Sequence, residues 1–193
     1  MSRLLTAAIV ATAVAIAAPA TAAETPRIGS QAPLFSLPDE SGVSHKLADY
    51  RGKTVVLEWT NQECPYVQRH YRAETMEKLA QHFEKDVVWL AVNSTRDNTP
   101  EETQKWKKEQ GFEYATLQDP GGAVGQLYGA RTTPDMFVVD AKGVLRYAGA
   151  IDDDPRGRAD APDNYVDGAL RALIAGTDPD PSQTKPYGCS VKY

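Results

Sequence analysis

The stretch EWTNQECPYVQRHY, residues 58–71, places Cys64 where a short apolar run gives way to an amphipathic one. A thiol becomes a nucleophile only as its thiolate, and the unpaired N–H groups of a helix N-terminus favour that anion. Pro65 suits a first helical position, which makes Cys64 the N-cap at the C-terminal end of the strand VVLEWT. Reaction sites in open α/β sheets gather at that edge. The bland alternative is a buried cysteine serving as a small hydrophobe. A polar NQEC turn ahead of proline suits core filling poorly, so a reactive thiol is expected. Glu63, a like charge beside the sulfur, opposes ionisation; Arg69 and Arg131 are the candidate cations to offset it.

Glu58 lies six positions before Cys64 in an otherwise apolar strand. Two readings stand side by side: a carboxyl with a raised pKa that relays protons to the sulfur, or one that reaches the sheet rim and is solvated. His70, six residues along the helix, falls well round from Cys64, so a Cys–His pair is not expected. No histidine, cysteine or acid spacing has the form of a metal site, and no metal or cofactor is expected. The acidic loop IDDDPRGRADAPDNY mimics part of a calcium loop, but Arg156 stands where a ligand is needed. A solvated loop is the expectation there.

The chain has a net charge of −5 and no basic run, which sets a nucleic-acid surface aside. Its start, MSR followed by LLTAAIVATAVAIAA and PATAA, has the basic, apolar and small-residue order of a signal peptide over 1–22, with cleavage after Ala22 or Ala23. The run is too short and Ala-rich for a membrane span, so none is expected after cleavage. Export, most simply to a bacterial periplasm, puts the two cysteines where disulfides form and persist. Two cysteines allow one intramolecular bridge, although their separation in sequence says nothing about pairing.

The elements that must hold these residues follow from periodicity. A small hairpin precedes KTVVLEWT, a strand buried on both faces. One helix is expected from Pro65 to about Lys85, with Val67, Tyr71, Met76, Leu79 and Phe83 inward. VVWLAVN is a second strand, and the next helix has Thr99 as N-cap, Pro100 first and Gly111 as its stop. YATLQD, a short helix, then MFVVD and VLRYAGAID joined by a tight turn complete the sheet. A last helix, NYVDGALRALIAG, ends at Gly176. This order predicts one α/β domain over 28–176, with a parallel-dominated sheet, an antiparallel edge and a polar tail over 177–193.

APLFSLPDESG, DYRGKTVVLEWTNQECP and YGARTTPDMFVVDAKGVLRYAGAIDD together resemble the thioredoxin-fold redoxins, including the alkyl-hydroperoxide-reductase/thiol-specific-antioxidant superfamily and exported thioredoxin-like proteins. The resemblance implies a thioredoxin-like α/β fold: a central mixed sheet flanked by helices, with an N-terminal hairpin and a C-terminal tail. It maps a cis-proline onto Pro134, preceded by Thr133, whose backbone pairs with a substrate peptide near the active cysteine. The match departs from the family at the site. In one register Glu58 and Cys64 match the buried acid and first cysteine, and Val67 replaces the second. In the other Cys64 is the second cysteine and Asn61 replaces the first. Asn61 also stands where peroxiredoxins carry threonine, which removes a hydrogen bond that polarises peroxide.

Similar exported redoxins pair a CPYV segment with a C-terminal GC, which implies Cys189 as a remote resolving partner for Cys64. An extended tail spans ~3.3 Å per residue, reach enough to return to the site. Three functions are therefore carried forward. The first is an exported thiol–disulfide oxidoreductase acting on a protein or small thiol or disulfide, regenerated by a separate reductant. The second is a thiol peroxidase. The third is a non-enzymatic binding module with a structural Cys64–Cys189 staple.

Overall fold

Residues 25–193 are described by a computed structural model of the chain, so the leader expected over 1–22 lies outside them. A hairpin of β1 (Ser36–Pro38) and β2 (Ser44–Lys46) leads through a 3-10 turn at Leu47–Tyr50 to β3 (Thr54–Trp59). Next come α1 (Pro65–Arg72), α2 (Thr75–His82), β4 (Val87–Asn93), α3 (Pro100–Gln110), β5 (Ala115–Gln118) and α4 (Ala123–Tyr128). The chain closes with β6 (Thr132–Thr133), β7 (Asp135–Val139), β8 (Leu145–Gly149), α5 (Tyr165–Ile174) and β9 (Cys189–Ser190). No helix among the described residues is long and apolar enough to cross a membrane.

The central sheet runs β5-β4-β3-β7-β8, parallel from β3 to β5 and antiparallel across β7 and β8. Because side chains alternate along a strand, β3 feeds two cores. Val55, Leu57 and Trp59 join Leu117, Tyr128 and Phe137 on the face covered by α4 and the N-terminal segment. Val56 points the other way, to Val67, Met76, Trp106 and Leu170 of the helices α1, α2, α3 and α5. Trp59 is fully buried, with its ring 5.3 Å from Tyr128 and 5.2 Å from Phe137. Burial of each such large side chain stabilises the fold by about 1.5–3 kcal/mol.

The single helix expected over 65–85 is two. Ala73 ends α1, and Glu74 takes a left-handed conformation (φ 56°) before α2 begins. Tyr71 and Met76 are five residues apart, which on a continuous helix sets them about 140° apart. The break resets the phase, so both side chains reach the core. α3 starts as expected, with Thr99 and Glu102 in a reciprocal capping box and Gly111 closing it at φ 79°.

The polar tail is not an appendage. Ser182 accepts from the Ala148 N–H at 3.2 Å, and the Thr184 N–H returns a bond to Ala148 at 3.1 Å. Its end forms β9, which pairs antiparallel with β6, aligning Thr132 with Ser190 and Thr133 with Cys189.

Candidate functional site

The turn after β3 is wound around Asn61. Its Oδ1 accepts from the Glu63 N–H at 2.7 Å, and its carbonyl accepts from the Cys64 N–H at 3.0 Å. Asn side chains favour such local turns, and this one delivers Cys64 to the N-cap of α1, with Pro65 first in the helix. Gln68 N–H then bonds the Cys64 carbonyl at 2.9 Å, opening the helical ladder.

From there the thiol crosses to the neighbouring segment. Cys64 is 2% exposed and its Sγ donates to the Thr133 carbonyl at 3.0 Å. Thr133 leads into Pro134 through a cis peptide bond, and Pro134 is buried. Cys189 sits opposite Thr133 in the β6–β9 pair, so both cysteines meet at one residue, each with a free thiol. Gly188 makes that approach possible. At φ 144°, a Cβ there would lie 2.0 Å from the same Thr133 carbonyl oxygen.

The two thiols titrate in opposite directions. Burial works against ionising Cys64, but the side chains of Thr133 and Cys189 and the backbone N–H groups of Val67 and Cys189 outweigh it. Its pKa therefore falls below the ordinary thiol value. Thr133 serves both states: its carbonyl accepts from the thiol, and its hydroxyl, buried and otherwise unpartnered, is free for the thiolate. Cys189 is pushed up to about 11, by burial and then by its neighbour Cys64. Cys64 is thus the first of the two thiols to ionise.

Glu58 does not reach the rim. It is 0% exposed, accepting from Tyr71 Oη at 3.1 Å and from Trp89 Nε1 at 2.9 Å. Tyr114 Oη extends the chain to Tyr71 at 2.9 Å. Burial raises the carboxyl to about 7 against the pull of these donors. Strand alternation puts Glu58 on the same face as Val56, the face whose core includes Cys64.

The cations expected to offset Glu63 act elsewhere. Arg131 is exposed; its N–H binds Asp135 Oδ2 at 3.0 Å and its carbonyl receives the Val191 N–H at 3.1 Å. Arg69 turns to the tail, donating to Tyr187 Oη at 3.1 Å. That hydroxyl is a hub absent from the sequence reading. It donates to Asp152 and lies 3.0 Å from Nε2 of His70, which burial and Arg69 push down to about 4 against the pull of Asp152 and Asp154. Asp135 was also missed. Buried directly after Pro134, it is raised to about 7 by burial. An acid opening the apolar run DMFVV and a tyrosine two residues before Cys189 were the available signals. Among the described residues no cluster of three ligating side chains could hold a metal ion.

A central five-stranded mixed sheet flanked by helices, with a cysteine at the N-cap position after a central strand facing the residue before a buried proline, is a thioredoxin-like fold. The chain belongs to the AhpC/TSA family, which its residues 28–148 match. It is 34% identical over 130 residues to the thiol:disulfide interchange protein DsbE of Pseudomonas fluorescens, covering 65% of this chain and 69% of that one. It is 28% identical over 135 residues to a Mycobacterium tuberculosis protein whose name places it with the peroxiredoxins, covering 65% and 78%. Among solved structures, a hypothetical protein of Sinorhizobium meliloti superposes with a TM-score of 0.80 at 26% identity, covering 88% of this chain and 96% of that one.

Proposed function

We propose that the chain is an exported thiol–disulfide oxidoreductase in which Cys64 is the nucleophile and Cys189 the resolving thiol. The observation that carries this reading is the meeting at Thr133: the sulfur of Cys64 touches its carbonyl while Cys189 pairs opposite it. Cys64, as thiolate, attacks one sulfur of a substrate disulfide R–S–S–R′. That bond breaks, R′S⁻ leaves and takes a proton from solvent, and Cys64–S–S–R forms. Cys189 then attacks the Cys64 sulfur, its proton passing to the departing RS⁻, and the Cys64–Cys189 bridge closes. One disulfide has become two thiols at the expense of two cysteine thiols. An external dithiol reductant reopens the bridge.

The supporting roles follow. Thr133 and Pro134 form the platform beside the sulfur, Asn61 and Pro65 fix the turn and helix start, and Arg131 tethers the platform through its backbone. Glu58, raised to about 7 on the sheet face whose core includes Cys64, is the candidate proton store for the site. No cofactor enters this cycle. The leader pattern over 1–22 supports export to a periplasm, where a dithiol partner would act.

A peroxidase reading is favoured by the AhpC/TSA family match and by the likeness to the Mycobacterium protein. In that cycle the thiolate takes an oxygen from a hydroperoxide to give Cys64–SOH, releasing alkoxide or hydroxide. Cys189 then expels water as the bridge forms. Asn61 Oδ1 is engaged by the Glu63 N–H, which leaves its Nδ2 amide as the donor that could meet a peroxide oxygen in the place of the threonine hydroxyl. Parallel assays of disulfide reduction and peroxide consumption, with Cys64→Ser as control, test both. Peroxide consumption outpacing disulfide reduction and lost in Cys64→Ser would replace the first reading with the second.

A further inference from the structure

The resemblance to thioredoxin-fold redoxins implies that an extended substrate segment pairs at the edge of β6, beside Thr133 and Pro134. That edge is taken. β9 aligns Cys189 with Thr133 and Ser190 with Thr132, and Val191 N–H continues to Arg131. The occupant is the chain itself.

Anchors flank the strand on both sides. Two residues before Cys189, the Tyr187 hydroxyl joins α1 through Arg69 and His70, and the loop after β8 through Asp152. Four residues after it, Tyr193 Oη donates to Ala130 at 2.6 Å, while Arg96 Nη2 holds the Tyr193 carbonyl at 2.7 Å. The Tyr193 ring sits so close to α4 that a Cβ on Gly125 would lie 2.6 Å from it. Between these anchors Gly188 meets the Thr133 carbonyl with no room for a side chain. Cys64, 2% exposed, is buried against Thr133, the residue with which this strand pairs.

We propose that β9 occupies in cis the place of an extended substrate strand, latched by Tyr187, so that the reduced chain favours low-molecular-weight disulfides over protein disulfides. The preference rests on the oxidoreductase reading above. A small disulfide needs only the Cys189 side chain to give way before its sulfur meets Cys64. A protein disulfide carried on an extended segment needs the β6 edge itself, and hence the whole strand displaced. Tyr187 is a positioning residue: it touches no reacting atom and acts by holding the strand that carries one.

The test uses the full chain and two substitutions, Gly188→Val, which forces a clash with Thr133, and Tyr187→Phe, which removes the hub hydroxyl. The first readout needs no turnover: Cys64 alkylation by iodoacetamide and by a polyethylene-glycol maleimide, located by peptide mass. The second is reduction of glutathione disulfide against insulin at equal disulfide concentration. The wild-type chain should exclude the bulky reagent and prefer glutathione disulfide at least tenfold. Each variant should raise bulky alkylation of Cys64 about tenfold or more and shrink the substrate preference by a similar factor. Equal access of both reagents in the wild type, or alkylation within twofold of wild type in the variants, overturns the latch. Tyr187→Phe alone decides if Gly188→Val does not fold. Alkylation gated by the tail without turnover of either disulfide overturns the oxidoreductase reading and its preference while leaving the strand as the cover.

Discussion

Cys64 and Cys189 meet at Thr133, yet the molecule holds them by different means. Cys64 is fixed by local structure: an Asn61 turn, a proline-led helix and a central strand paired on both edges. Cys189 is fixed by distant structure, on a two-residue strand held by Tyr187 against α1 and the loop after β8, by Gly188 against β6, and by Tyr193 against α4, Ala130 and Arg96. Their acidities differ in the same sense, Cys64 lowered and Cys189 raised to about 11. A locally held sulfur with a lowered pKa beside a tethered one with a raised pKa is the division expected of nucleophile and resolver.

The sharpest way to break that division is to exchange serine for each sulfur. Cys64→Ser should abolish disulfide reduction, a loss of at least ~10³-fold, since no nucleophile remains. Cys189→Ser should leave the first attack intact and stall the chain as a Cys64 mixed disulfide, read by intact mass. Equal losses with no trapped adduct would remove the distinction. The pH profile of Cys64 alkylation sharpens it further. Its midpoint should lie below the ordinary thiol value of 9.0 and rise in Cys189→Ala, which removes a donor to the thiolate.

The acid beneath the site makes the next largest effect. Glu58 is raised to about 7 from 4.5, so the folded state holds a proton that the unfolded state releases between those values. Folding stability should therefore fall as pH rises from about 4.5 to 7, by roughly 3 kcal/mol from this group. Asp135, raised to about 7 from 3.8, adds a loss of the same sign. Denaturant unfolding across that range should show the slope, and Glu58→Gln should flatten it. An unchanged slope would mean that Glu58 ionises freely.

Smaller effects separate the two kinds of support. Tyr193→Ala should loosen the tail by about 2 kcal/mol, as a half-buried ring and its hydrogen bond are lost. Hydrogen exchange should report this at β9 while β3 stays protected. Asn61→Ala should cost about 1 kcal/mol by removing one turn hydrogen bond, and the change should appear at the start of α1 and not in the tail.

The same contrast explains what could be read from the sequence. The strand–Cys64–Pro65 junction, the Thr99 cap and the paired strands around AKG depend on neighbours in sequence, and their signals are local. The break at Glu74 was readable only as a five-residue gap between Tyr71 and Met76, which a count of apolar positions passes over. The burial of Glu58 was open because the strand pattern shows the face and not what covers it. Tyr187, Asp152 and the Gly188 contact join segments brought together only by the complete fold. PYGC marked the place without showing the partners.

The most direct measurement is a redox titration of the full chain, with mass mapping of the oxidised product. The expected result is a single Cys64–Cys189 bridge that opens in exchange with glutathione at a potential above about −300 mV, the range of working rather than structural disulfides. A bridge below about −300 mV that glutathione leaves closed, or no bridge between these two cysteines, would contradict the assignment of nucleophile and resolving thiol.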